Sequence, residues 1–211
     1  MNVFYIIISG IIYGLISYSA FSYLMFPVEM LCTFLHEFGH AIFCELSGGD
    51  VESLCVNTDG SGVTYCRGGS NGLTTIGGYV GSAIFGNVML YLSSRDKYGI
   101  TLKILSALMI ISSLIWFSNI TTSFILIVFG IILFLLSRTK LKSFTLAFLG
   151  VASIIYIIQD FNVGPTSDLQ SYEKLVGIFP TLWWMYIWLG MVITITSITF
   201  YLIFKSKKSW A

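Results

Sequence analysis

The chain has 211 residues, 56% hydrophobic and 10% charged, with a mean hydropathy of +0.87. A soluble domain carries about 25% charged residues, so this composition excludes an ordinary water-soluble enzyme and calls for a lipid bilayer. Lys and Arg number 11 against 10 Asp and Glu, a net charge of +1 that argues against a nucleic-acid partner.

A membrane helix takes about 20 mostly apolar residues. Segments of that character fall at 3–26, 27–46, 73–92, 100–117, 123–136, 144–158 and 182–204. No Lys or Arg precedes the first, so it reads as a retained span rather than a secretory signal. The second contains His36-Glu37-Phe38-Gly39-His40, with the only two histidines of the chain. Residues four apart share a helix face, so both imidazoles can reach one zinc ion (Zn2+). Glu37 beside them is placed to take a proton from an activated water. Ionisable side chains are costly within lipid and mark function there. A metal site is therefore preferred to two satisfied polar residues in a helix core.

Residues 48–69 are too polar to span and read as a β-hairpin, with Asp59-Gly60-Ser61-Gly62 as its turn. A turn centred on Gly60-Ser61 sets Cys55 opposite Cys66, and one centred on Asp59-Gly60 does not. A Cys55–Cys66 disulfide and two free strand cysteines both stay open. The third segment carries Gly72, Gly77, Gly78, Gly81, Ser82, Ala83 and Gly86, small residues that let helix backbones approach in lipid. Close packing accounts for most of them, and it would set this helix against the second and against bound substrate. Asn87 on the same helix serves either packing or a developing oxyanion. Asp160 ends the sixth segment, and 160–180 forms a polar loop with a short amphipathic helix that contains Asp168.

The basic residues fix orientation. Arg95 and Lys97 follow the third segment, Arg138, Lys140 and Lys142 the fifth, and Lys205, Lys207 and Lys208 the seventh. These connections share one side, which the positive-inside rule assigns to the cytoplasm together with the carboxyl terminus. The amino terminus lies opposite, as do Asp50, Glu52, Asp59, Asp160, Asp168 and Glu173. The expected fold is an all-α, polytopic integral membrane protein of about seven transmembrane helices. It forms one domain over 1–211, with a small hairpin at 48–70, outside the membrane or re-entrant, between the second and third spans.

A catalytic zinc usually takes three protein ligands and keeps one position open. Cys32 and Cys44 continue the four-residue ladder, but each step of four drifts roughly 40°, which leaves them on the flanks as packing residues. Asp160 is favoured as third ligand, because a helix holds a ligand more rigidly than a loop. Asp168, beside a Ser167/Gln170 capping box, is the alternative. Depth argues the other way. At a rise of about 1.5 Å per residue Asp160 stands roughly 27 Å above Lys142, and the histidines only roughly 14 to 20 Å above Pro27. Helix tilt, or a segment dipping back with Asp168, would close that gap.

These residues resemble the site-2 protease family of intramembrane zinc metallopeptidases, and most closely its M50B-like branch. The likeness rests on His36-Glu37-Phe38-Gly39-His40-Ala41, Gly48-Gly49, residues 59–63, Arg67-Gly68-Gly69, Gly78-Tyr79-Val80-Gly81-Ser82, Ser167-Asp168, and Trp184 with Trp188. It implies a metalloprotease that cleaves transmembrane protein substrates, with His36, His40 and an acid on zinc and Glu37 as catalytic base. The better-known members carry an Asp-Gly ligand motif on a helix soon after the histidines. Segment 100–117 has no acid, and the one Asp-Gly, Asp59-Gly60, lies in the hairpin. That departure motivates an alternative, a non-proteolytic metal-binding membrane protein that holds or recognises other membrane helices. A small transporter ranks last, since paired broken helices are not evident.

Overall fold

In the computed structural model, which describes residues 3–163 and 166–208, the first apolar segment breaks early. Helix α1 (Val3–Ser17) ends at a turn in which the Ser19 hydroxyl donates to Ile16 O (2.9 Å) and accepts from Phe21 N (3.1 Å). A 3-10 turn (Ser22–Met25) then leads into α2 (Phe26–Leu46), whose first turn holds Pro27, where its missing N–H costs nothing. Strands β1 (Gly49–Val56) and β2 (Gly62–Gly68) follow. The chain continues as α3 (Asn71–Ser94), α4 (Tyr98–Ile115), α5 (Ile120–Leu136), α6 (Lys142–Val163), α7 (Ser167–Val176) and α8 (Thr181–Lys208).

Among the described residues, four helices are long and apolar enough to cross a membrane: α3, α4, α6 and α8. The apolar α1 and α5 are shorter, at 15 and 17 residues. Helix α2 has the length, at 21 residues, but carries Glu29, Glu37 and Glu45.

Helix α3 runs through the centre against α2, α6 and α8. Its glycines set the distance to α2. A Cβ on Gly81 would stand 2.8 Å from Gly39 Cα, and one on Gly77 would stand 2.7 Å from Phe43 Cβ. Backbones this close gain dispersion contacts, the chief source of helix association where lipid is as apolar as the side chains. On one flank, Phe34, Leu35 and Phe38 of α2 pack with Leu54 and Val56 of β1, Leu102 and Met109 of α4, and Leu126 of α5. On the other, Tyr79 of α3, Phe161 of α6, Leu169 of α7 and Trp188 of α8 form a second cluster.

The strands form the expected antiparallel hairpin. Asp59 holds its turn by accepting from Ser61 N (3.0 Å) and the Ser61 hydroxyl (2.7 Å), with Gly60 at φ +87°. The register pairs Cys55 with Val63 and Val56 with Gly62, so Cys55 does not face Cys66. Cys66 is instead bonded to Cys44 at the end of α2, while Cys55 and Cys32 are free and buried. This corrects both the open Cys55–Cys66 pairing and the packing role assigned to Cys44. The outer edge of β1 is covered, with Leu54 N donating to Trp116 O (3.0 Å) and Val56 N to Thr122 Oγ1 (3.1 Å). β2 is left as the exposed edge, with Val63 and Tyr65 pointing outward.

Candidate metal centre

His36 and His40 lie one turn apart on α2, with ring centroids 4.7 Å apart and their Nε2 atoms 3.0 Å apart. His40 Nδ1 lies 2.7 Å from Thr74 O on α3. A carbonyl only accepts, so Nδ1 carries a proton and Nε2 is the nitrogen turned toward a metal position. Gly78 makes the room, since a Cβ there would lie 2.6 Å from His36 Nε2.

The third group arrives on α7. Thr166 caps that helix by accepting from Leu169 N, and the fully buried Leu169 plugs into the cluster around Trp188. Gly177 ends it in the left-handed conformation, and Glu173 accepts from Thr181 N (2.9 Å), tying α7 to α8. The N-cap is thus Thr166, one residue before the expected Ser167. Anchored at both ends, α7 presents Asp168 Oδ2 at 3.0 Å from His36 Nε2 and 3.2 Å from His40 Nε2. Burial pushes the Asp168 carboxyl up, but the hydrogen bonds and charge of the two imidazoles outweigh it and hold the group well below the usual carboxylate range. A metal bound here would replace the imidazole protons that face this ionised carboxylate.

Ligand atoms of His36, His40 and Asp168 all lie within 4.8 Å of one another. Zinc at about 2.0–2.1 Å from each of three tetrahedral ligands would space them about 3.3 Å apart. The observed 3.0, 3.0 and 3.2 Å are a few tenths short, so the donor set fits with minor adjustment.

Asp160, the acid favoured from the sequence, is not in this group. It accepts from the Tyr79 hydroxyl, and the Tyr79 ring stands edge-on to His36 with centroids 4.6 Å apart. Asp160 therefore lines the cavity beside His36 but is held on Tyr79, outside the group of ligand atoms. The structure brings the alternative, Asp168, to the histidines, because the chain after α6 turns back toward the middle of α2. Asn87 also lies apart, its amide donating to Ala83 O (2.8 Å) and Thr196 Oγ1 (3.1 Å), which is a packing role between α3 and α8.

Glu37 is 4% exposed, and its Oε2 accepts from Thr64 Oγ1 of β2 at 2.8 Å. Two cavities flank it. One of about 210 Å³ is shared with His36, Tyr79, Asp160 and Asp168, and one of about 200 Å³ with His40, Thr64, Thr74 and Asp168. Both are large enough for water and part of a peptide, and both place a carboxylate next to the imidazoles. Sequence reasoning passed over Thr64, Thr74 and Tyr79 as site residues. Thr74 acts through a backbone carbonyl, which leaves no trace in residue identity, and Thr64 shows only as one of several strand-favouring residues.

A family model described as Peptidase M50B-like matches residues 7–200 of the chain. No curated protein and no solved structure matches it.

Proposed function

The chain belongs to the Peptidase M50B-like family, and on that premise we propose that it is an intramembrane zinc metallopeptidase that cleaves membrane-spanning proteins. The observation that carries this reading is the convergence of His36, His40 and Asp168 beside a buried Glu37, with water-sized space on both sides. His36, His40 and Asp168 would hold the zinc, leaving the open position of a catalytic site. Zinc bound there supplies Lewis acidity, acidifying water and polarising a carbonyl. Glu37 takes the proton from the attacking water and returns it to the leaving amine. Thr74, through His40 Nδ1, keeps the imidazole turned toward the ligand position. The substrate must be extended at the scissile bond, and the exposed edge of β2 offers backbone groups to pair with it.

The same reading places α1, α2 and α5 in the bilayer with the other four long helices, with the carboxyl terminus cytoplasmic and the amino terminus opposite. Support for that orientation comes from the Cys44–Cys66 bond, which suits an oxidising compartment on the hairpin side, away from the basic connections. A sealed structural metal site, the competing reading, needs a fourth protein ligand. Cys44 is committed to its disulfide, and no fourth His, Cys, Asp or Glu joins the group among the described residues.

The test is Glu37→Gln in purified, zinc-loaded protein, assayed on a fluorogenic single-span peptide in detergent. Zinc is retained and cleavage abolished. Unchanged cleavage would rule the mechanism out.

A further inference from the structure

β2 lies directly over the carboxylate assigned as base. A Cβ on Gly62 would stand 2.6 Å from Glu37 Cγ and equally close to Oε1, so only glycine lets the strand pass this near. Two residues on, where the strand repeat returns to the same face, Thr64 Oγ1 lies 2.8 Å from Glu37 Oε2 and 3.0 Å from its backbone oxygen. The hydroxyl has one proton, and the charged oxygen is the stronger acceptor. Two further ties hold the strand on α2. Thr33 donates to Gly60 O (2.8 Å) one turn before Glu37, and Cys44 bonds Cys66 two turns after it. Val63 and Tyr65, the alternate residues, are exposed.

Building on the proposed peptidase reading, we propose that the hairpin is part of the catalytic apparatus and that Thr64 is a positioning residue acting through Glu37. Its hydroxyl fixes Oε2 and leaves Oε1 as the oxygen that exchanges the proton. A buried carboxylate without that donor is free to turn about its side-chain torsions, and proton transfer depends on its reach and alignment.

The experiment compares wild type, Thr64→Val, Thr64→Ser and Glu37→Gln, all zinc-loaded, on the fluorogenic single-span peptide. Losing a hydrogen bond to a charged group predicts a kcat lower by about tenfold to hundredfold in Thr64→Val, with KM within about twofold. Thr64→Ser, which keeps the hydroxyl, restores the rate. Zinc content and melting temperature match wild type in both Thr64 variants. Binding of a peptide hydroxamate, whose hydroxyl proton needs the same base, weakens in Thr64→Val by about the same factor as kcat. Normal kcat in Thr64→Val alongside an inactive Glu37→Gln overturns this inference alone. Cleavage by Glu37→Gln, or none by wild type, overturns the peptidase reading beneath it. A Thr64→Val that loses zinc or melts early, with Thr64→Ser equally slow, makes the contact structural and also refutes the proposal.

Discussion

Replacing Asp168 with asparagine keeps the side chain's size and removes its charge, which isolates what that carboxylate gives a metal. Structural zinc sites with four protein ligands bind with about 10–16 kcal/mol, or roughly 3 kcal/mol per ligand. Since each 1.4 kcal/mol is tenfold, Asp168→Asn should weaken zinc binding by roughly a hundredfold. Asp160→Asn is the matched control. Its amide oxygen can still accept from Tyr79, and outer-shell changes typically cost about 10–100-fold, so a change near or below the low end is expected. The assay is zinc retained by detergent-purified protein across a graded series of chelator, read by elemental analysis. The decisive quantity is the ratio between the two variants, since both lose one negative charge on the same cavity. Loss of zinc in Asp160→Asn with retention in Asp168→Asn would refute the assignment of α7 as the ligand-bearing segment.

Gly78→Ala puts a methyl 2.6 Å from His36 Nε2, so zinc content should fall while α3 still forms; normal zinc content would mean that the imidazoles have room the structure does not give them. Removing the Cys44–Cys66 bond, which joins residues 22 apart, should lower stability by roughly 3 kcal/mol, checked by denaturation with and without reductant. Peptide mapping of the unreduced protein should recover Cys44 joined to Cys66 with Cys55 unpaired, and a Cys55–Cys66 peptide would overturn the strand register. Metal binding should weaken as pH falls, because protons compete for both imidazoles and then for the carboxylate, and zinc retained equally in acid and at neutral pH would contradict a histidine site.

The parts of the site that lie within one element were readable from the sequence. His36, Glu37 and His40 sit within five successive positions of one helix, and helical geometry alone brings the two imidazoles together. The hairpin was readable for the same reason, since its turn and strands are local. Its pairing was not, because the loop closes from Asn57 N to Ser61 O about Asp59, a register that neither two-residue turn gives and that sets Cys55 opposite Val63. Cys44 found a partner through tertiary contact: a Cβ on Gly49 would stand 2.8 Å from its sulfur, so glycine there leaves room for the disulfide. The break after α1 was hidden because Tyr18, Phe21 and Tyr23 keep the segment apolar through the turn.

The two aspartates show how a sound premise can favour a residue other than the one that the fold sets beside the imidazoles. Helix rigidity was the reason for preferring Asp160, yet rigidity fixes a carboxylate wherever the helix places it, and α6 places this one on Tyr79. Depth left room for helix tilt or for a segment that returns toward the histidines after α6, and Asp160 itself lines the cavity beside His36. Helix α7 is such a segment, and its ten residues are no looser than a span. Thr166 caps it, Leu169 is fully buried, and Glu173 fastens its far end to Thr181. Rigidity in a membrane protein thus comes from anchoring as much as from length, and a short helix pinned at both ends can present a carboxylate to a coordination site as well as a transmembrane one.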